Sequence, residues 1–466
     1  MNSTTELPSD AIATVRVIPG GPVRGSIRPP GSKSLTNRAL LMAAFGRGTS
    51  QLDGALVSED THVMTDSLRK IGVQIETEDA GRTLVVTGLQ QAISPSDQAT
   101  GHDLYIANSG TTVRFLTAAL SALGGHYTLR GVPRMHERPI GDLVQALSPV
   151  VDGNIEAVSD GGCPPVHIHT NGWAKQELSV AGNVSSQYLS GLMMAAPLAS
   201  RRSGAPVSIR VVGELVSRPY AEMTADAMQV FGASVNLIWP ESSTGDLIVQ
   251  IDGDYDAIGW SIEPDASAAS YFWAAAAISG GDVTVRGLSR AATQGDVAFV
   301  DVLQQMGCRI EETDDSIRVD ASELPGGKLR GIDVDMNAIS DTVQTLSVVA
   351  LFATSPTRVR GVAHNRFKET DRIGDLAREL RKLGATIQEH EDGMTIHPLV
   401  DPGVSADSPV RLDTYHDHRM AMSFSLAGLR LDGVQIENPS CTGKTYPNYW
   451  ADLEQLIGRS HHWTAE

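Results

Sequence analysis

The chain is 466 residues long, and its 37 Lys and Arg against 55 Asp and Glu leave a formal net charge of −18. At roughly 150 residues per domain this length calls for two or three domains and more than one hydrophobic core. A surface this acidic excludes general binding of nucleic acid or of anionic membranes, though not a local basic pocket. Hydrophobic residues at 41% and charged residues at 20% place the chain in the soluble globular class. Cys163, Cys308 and Cys441 are widely separated and form no CxxC. That excludes a disulfide scaffold and a cysteine zinc site, and fits a reducing compartment.

In chain order, the opening MNSTTELPSDAIATV has neither a basic start nor a continuous apolar run, and it is not Arg-rich. No signal or transit peptide is expected, and the expected compartment is the cytoplasm. A first strand precedes Pro29–Ser32, and beyond it the sequence repeats itself. The stretches TSQLDGALVSEDTHVMTDSLRKIGVQIETED, DVTVRGLSRAATQGDVAFVDVLQQMGCRIEETD and TRVRGVAHNRFKETDRIGDLARELRKLGATIQEHED each read strand, glycine, polar loop, amphipathic helix, glycine, strand. In the last of them Ile373, Leu376, Leu380 and Leu383 share one helix face, and Gly384 is the expected stop. Two further copies lie at Arg130-Gly131 and Val212-Gly213, and a degenerate one at Glu437-Asn438. The loop starts at 54, 131, 213, 287, 361 and 438 are spaced by 74 to 82 residues, which makes six units.

Each unit also carries an Ala-rich helix, apolar nearly all round and therefore expected to be buried. These helices begin in the polar starts SKSLTN, NSGTT, SSQ, DASAAS, SDTVQ and DHRMA, with repeat anchors at Ser34, Gly110, Ser186, Ala266, Asp341 and His418. Ser, Asn and Asp at such starts are read as N-caps. Three of the starts add cations or glycine, namely Lys33/Arg38, Gly110/Arg114 and His418/Arg419. Helix N-termini with added positive charge bind anions, so the expected ligand carries more than one anionic group. No apolar run reaches the ~18 residues of a membrane span. The richest, Ala268 to Ile278, is broken by Ser270 and followed by Gly280-Gly281.

Six units divide into two α/β domains of three. Crossings are expected at Gly253–Glu263 and near Pro29–Ser32, giving one domain of residues 1–31 plus 263–466 and another of 32–262. Helix N-termini facing each other would then line a cleft that closes on charged ligands. The polar loops hold the remaining candidates: RMHERPIGD at 134–142, NRFKETDRIGDL at 365–376 and CTGKTYPNYW at 441–450. Lys33, Arg138, Arg372, Arg419 and Lys444 suit a phosphate and a carboxylate, Arg by bidentate pairing. Asp341 and Glu369 are the candidates for moving protons. The plainer alternatives are an N-cap for Asp341 and a salt bridge from Glu369 to Lys368 or Arg372. No nucleotide P-loop and no G-x-S-x-G is present, and the H-x-H pairs at His167/His169 and His416/His418 lack further ligands at metal spacing, so no metal is expected.

The ordered set PPGSKSLTNRALLMAA, ANSGTTVRFL, RMHERPIGDL, SSQYLSGLMMAAPLA, DASAASYFWAAAA, RFKETDRI, YHDHRMAMSFSLAGL and CTGKTYPNYW resembles the 5-enolpyruvylshikimate-3-phosphate (EPSP) synthase family from about Val15 to Leu456. The resemblance implies two inverse α/β-barrel-like domains of three βαβαββ repeats each, around an interdomain cleft. It implies transfer of the enolpyruvyl group of phosphoenolpyruvate to the 5-hydroxyl of shikimate-3-phosphate. The reaction releases phosphate through a tetrahedral intermediate, with no cofactor, in a monomer inhibited by glyphosate. Carried over by motif, Lys33, Gly110, Arg138, Gln187, Arg372, Arg419 and Lys444 meet phosphoenolpyruvate. Lys33, Ser34, Arg38, Ser185, Ser186, Gln187, Ser217, Asp341, His364 and Lys368 meet shikimate-3-phosphate. Asp341, Glu369 and Lys33 are the catalytic set. The chain departs from the family's usual pattern at Ser109, where many members have Ala, at Phe115, often Pro, and at His364, often Asn or Ser. The rival readings are the sister enolpyruvyl transferase acting on UDP-N-acetylglucosamine, whose loop cysteine is missing from RMHERPI, and a non-catalytic six-repeat clamp.

Overall fold

The computed structural model describes residues 12–89, 101–241 and 245–465. The polar amino-terminal segment read from the sequence lies, up to residue 11, outside the described residues. The chain separates into two compact units, an inner one of Gly31–Glu263 and a terminal one formed by the chain up to Pro30 together with Pro264–Glu466. Each unit has a hydrophobic core of its own.

Among its described residues the inner unit contains three four-stranded sheets of one design. A parallel pair is followed by two antiparallel neighbours, as in Glu177–Ala181, Val207–Val212, Leu247–Asp252 and Ser234–Ile238 in spatial order. Strands such as Thr83–Thr87 and Val207–Val212 bury every second residue, the period expected of a sheet with one face on a core. In the first sheet, Thr49–Asp53 takes its parallel partner from Gly259–Ser261 at the far end of the unit.

The terminal unit repeats the design with strands from both ends of the chain. Arg24–Ile27 runs parallel to Asp282–Arg286. Ile12–Arg16 lies antiparallel between Val434–Glu437 and His462–Ala465. The unit that reads as degenerate at Glu437-Asn438 therefore completes its sheet with a strand more than 400 residues away in sequence.

The Ala-rich helices form the cores. Every residue of Leu35–Phe45, Gly110–Ala122, Ala266–Ile278, Val343–Ala350 and His418–Gly428 is buried. Small residues let these helices pack closely: a Cβ on Gly191, in helix Ser186–Ser203, would sit 3.0 Å from the Arg114 carbonyl oxygen of helix Gly110–Leu123. Each fully buried Leu, Phe or Met stabilises the unit by about 1.5–3 kcal/mol. The outer helix Gly374–Lys382 behaves as its pattern requires. Ile373, Leu376, Leu380 and Leu383 are fully buried, and Gly384 follows at φ +92°.

Five of the six polar starts supply the caps expected of them: the capping side chains belong to Ser32, Ser109, Ser185, Asp265 and Asp417, one or two residues ahead of the repeat anchors. A cap residue needs extended backbone, whereas Ser34 and Ser186 are already inside their helices. Thr342, not Asp341, precedes helix Val343–Ala350, and it makes no side-chain cap bond.

Candidate active site

In the inner unit, Lys33 opens helix Lys33–Phe45 just behind the Ser32 cap, with its ammonium 3.5 Å from the buried Asp60 carboxylate. Ser34 lies on the same first turn and Arg38 one turn on. Arg38 is buried with every arm engaged: Nε donates to Thr224 Oγ1 (2.8 Å), Nη1 to the Ser34 carbonyl (3.0 Å) and Nη2 to Ser190 Oγ (3.0 Å). Its guanidinium sits 5.1 Å from the Phe115 ring centre, which gives the unusual Phe115 a cation–π role. Burial lowers its pKa to about 10.

Gly110 begins the second core helix, capped by Ser109 Oγ, which accepts from the Thr112 amide (3.2 Å). That bond accounts for Ser109. A Cβ on Gly110 would stand 2.6 Å from both Arg114 Nη1 and Arg138 Nη2, so glycine is what allows two guanidiniums to crowd this helix start. Arg138, brought in by the turn Pro133–Glu137, donates to the Asn108 carbonyl (3.0 Å) and Oδ1 (3.2 Å). Arg114 donates to Gln187 Oε1 (2.7 Å). Gln187 follows Ser185 and Ser186 at the third helix start, where Ser185 Oγ accepts from the Gln187 amide. Ser217 is buried at φ +53° and Ala107 takes φ +45°. Side chains held in the left-handed region mark places where the surroundings over-determine the backbone.

The terminal unit holds a denser constellation. Arg372, 2% exposed, binds three carboxylates at once. Its Nε and Nη2 reach the two oxygens of Asp417 (2.7 and 3.2 Å), Nη2 also reaches Glu369 Oε2 (2.8 Å), and Nη1 reaches Asp341 Oδ1 (3.1 Å). Lys444 Nζ donates to Glu369 Oε1 (2.8 Å) and Arg419 Nη2 to Asp341 Oδ2 (2.6 Å). Burial works against the Arg372 charge, but Asp417, Glu369 and Asp341 outweigh it and hold its pKa above the ordinary value. Tyr415 and His416 just before this helix start, and Asn438 before the Lys444 turn, all have positive φ. His364 is buried, and burial followed by the Lys368 charge drops its pKa to about 3. It is a neutral ring at working pH, able to offer a hydrogen bond but no charge. Lys368 lies at the surface end of the same turn, half-buried.

The structure thus gathers Asp341, Glu369, Arg372, Arg419 and Lys444 into one buried network. It gathers Gly110, Arg138 and Gln187 around Arg114. Asp417, the hub for Arg372, escaped the sequence reading although it stands directly before His418, and so did Asp60 and Asn108. For Asp417 the signal is a cap residue one position ahead of a basic helix start; Asp60, in the first turn of helix Glu59–Lys70, and Asn108, just before the Ser109 cap, carry no such mark. Cys441 is no nucleophile, since burial pushes its thiol up to about 12. Among the described residues no group of three or more His, Cys, Asp or Glu is placed to hold a metal, and no helix is long and apolar enough to cross a membrane.

The sequence model of the family described as EPSP synthase (3-phosphoshikimate 1-carboxyvinyltransferase) matches residues 17–453. A 3-phosphoshikimate 1-carboxyvinyltransferase of Herminiimonas arsenicoxydans is 46% identical over 441 residues, 93% of this chain and 95% of that protein. The chloroplastic 3-phosphoshikimate 1-carboxyvinyltransferase of Brassica napus is 43% identical, covering 93% of this chain and 83% of the relative. Among solved structures, EPSP synthase of Acinetobacter baumannii superposes with a TM-score of 0.76 at 25% identity, covering 97% of this chain and all of that one.

Proposed function

We propose, from the premise that this chain belongs to the EPSP synthase (3-phosphoshikimate 1-carboxyvinyltransferase) family, that its two charged constellations serve one pair of substrates. The enzyme transfers the enolpyruvyl group of phosphoenolpyruvate to shikimate-3-phosphate in the shikimate pathway, toward aromatic amino acids. The observation that carries the assignment of roles is the buried set of three cations and three carboxylates around Arg372.

Lys33, Arg138, Gln187, Arg372, Arg419 and Lys444 bind phosphoenolpyruvate, whose phosphate and carboxylate suit guanidinium forks. Ser34, Ser185, Ser186, Ser217 and Lys368 bind shikimate-3-phosphate, with Arg38 holding the helix starts in place and His364 contributing a neutral hydrogen bond. Asp341 takes the proton of the 5-hydroxyl as that oxygen attacks C2 of phosphoenolpyruvate. Glu369, assisted by Lys33, delivers a proton to the methylene carbon, giving a tetrahedral ketal phosphate. The intermediate collapses by losing a methyl proton as the C–O bond to phosphate breaks. Arriving substrate anions compete with Glu369 for Arg372 and Lys444, so binding itself frees that carboxyl for proton transfer. Preorganised cations then meet the developing charge in a site closed to water. The chain works as a cytoplasmic monomer of two domains, 1–31 with 263–466 and 32–262. Three free thiols support the reducing compartment.

Mixing the enzyme with phosphoenolpyruvate and each acceptor tests this reading. Phosphate is released with shikimate-3-phosphate, not with UDP-N-acetylglucosamine, and a chelator leaves the rate unchanged. Release with the sugar nucleotide alone would reverse the assignment. Gly110→Ala is expected to raise KM for phosphoenolpyruvate by roughly ten- to hundredfold, because its Cβ displaces both guanidiniums at 2.6 Å. The KM for shikimate-3-phosphate should move far less. Equal rises in both would show that the glycine shapes the whole unit instead.

A further inference from the structure

Against the turn that bears Asp341 lies a further buried carboxyl group. Asp296 belongs to the turn Gly295–Ala298, which packs against the start of helix Ala266–Ser279 and against the turn Asn337–Thr342 that bears Asp341. The side chain is 4% exposed. Its Oδ2 accepts a hydrogen bond from Ser267 Oγ, while Oδ1 is buried with no hydrogen-bond partner among the described residues. The neighbouring Gln294 fixes the turn by accepting from the Ala266 amide (3.1 Å) and donating to the Pro264 carbonyl (2.7 Å). The charged groups that reach Asp296 are Asp341 from the facing turn, Arg419 from helix His418–Gly428 and Asp265 at the cap of helix Ala266–Ser279.

A carboxylate with one oxygen unpaired in a buried site carries a large desolvation cost and needs a reason. A turn that only had to be pinned to Ser267 would be served equally by Asn. What Asp adds is a proton that comes and goes beside Asp341. We propose that Asp296 is a positioning residue for the transfer reaction, a buried proton-holding partner whose charge state sets how readily Asp341 takes the acceptor's proton. Two neighbouring carboxyl groups, one of them buried, resist ionising together. Asp341 is therefore the stronger base while Asp296 is ionised and the weaker one while Asp296 is neutral. Burial first, and the Asp341 charge second, raise the Asp296 pKa to about 7, so the switch falls in the working range. Arg419, bonded to Asp341, attenuates the coupling without abolishing it.

The inference rests on the substrate assignment above, and the test separates the two. In the wild type kcat rises with pH through an inflection near 7. In Asp296→Asn that inflection disappears and the alkaline kcat falls by roughly three- to tenfold, while both KM values stay put. Ser267→Ala removes the one donor to the Asp296 carboxylate and moves the inflection to higher pH. Stability gives a reading independent of turnover. The folded pKa lies above the ordinary 3.8, so the folded state binds the extra proton between there and about 7. Wild-type stability therefore falls with rising pH across that window relative to Asp296→Asn, and the difference is constant above it. A variant with unchanged pH profile, a KM effect in place of a kcat effect, or a melting difference that does not grow with pH would each overturn the inference. No turnover in the wild type would overturn the substrate assignment and this inference together.

Discussion

Asp341→Asn lowers kcat by about 10²–10⁴-fold and leaves the KM for each substrate within a few-fold of wild type. The expectation follows from what the carboxylate touches. Both oxygens face guanidiniums, Oδ1 toward Arg372 and Oδ2 toward Arg419, and the side chain keeps 19% of its surface open. It is thus anchored by two guanidiniums while part of its surface stays exposed to an incoming hydroxyl. An amide keeps the shape and one acceptor oxygen but takes no proton, so what is lost is chemistry. Substrate binding is expected to be spared, because the cations proposed to hold the anions remain and lose a competing charge. Single-turnover measurement with phosphate release as the readout separates the two terms. A parallel loss of kcat and of equilibrium binding of shikimate-3-phosphate would make Asp341 a binding residue. Helix capping is already a poor account of it, since Thr342 occupies the cap position of the helix that follows.

The repeat arithmetic made most of this architecture legible. Spacing near 77 residues, with an apolar helix in every unit, is the signature of one supersecondary block used six times. What it did not carry was the way each unit closes. The pairing of Gly259–Ser261 with Thr49–Asp53, and of Ile12–Arg16 with both Val434–Glu437 and His462–Ala465, leaves no local trace, because strand partners are chosen by tertiary context. The same division runs through the site. Lys33, Arg372, Arg419 and Lys444 were visible as cations at helix starts and loops, where a charge has an electrostatic reason to be. Arg38 showed the same sign in the same motif, yet the structure ties it to Thr224, Ser190 and the Ser34 carbonyl. A sequence displays a charge but not which of its donors the fold already engages. The converse holds for Asp417 and Asp296, two carboxyls that look like ordinary cap and turn residues until burial makes them expensive.

Arg372→Ala is expected to destabilise the terminal unit by about 3–5 kcal/mol and to abolish detectable turnover. The cost comes less from what the guanidinium gains than from what it leaves behind. Asp417 is wholly buried, Glu369 is 8% exposed, and both lose bonds of 2.7–2.8 Å to Arg372. Glu369 keeps Lys444 and Asp341 keeps Arg419, but the permanently charged ion partner of Asp417 among the described residues is Arg372 itself. Such a carboxylate must either stay charged in a buried site or take up a proton on folding, and either route draws on the small net stability of a domain. Arg372→Lys separates the structural part from the functional one. An ammonium restores the charge beside Asp417, so much of the lost stability returns. It cannot span four oxygens on three residues as the planar fork does, so Asp341 and Glu369 lose their common anchor and turnover stays low. Urea titration alongside steady-state kinetics reads both. If Arg372→Lys recovers kcat together with stability, the fork geometry is irrelevant and Arg372 is only a counter-charge. If Arg372→Ala unfolds no more easily than wild type, the three carboxylates are compensated by groups other than this guanidinium.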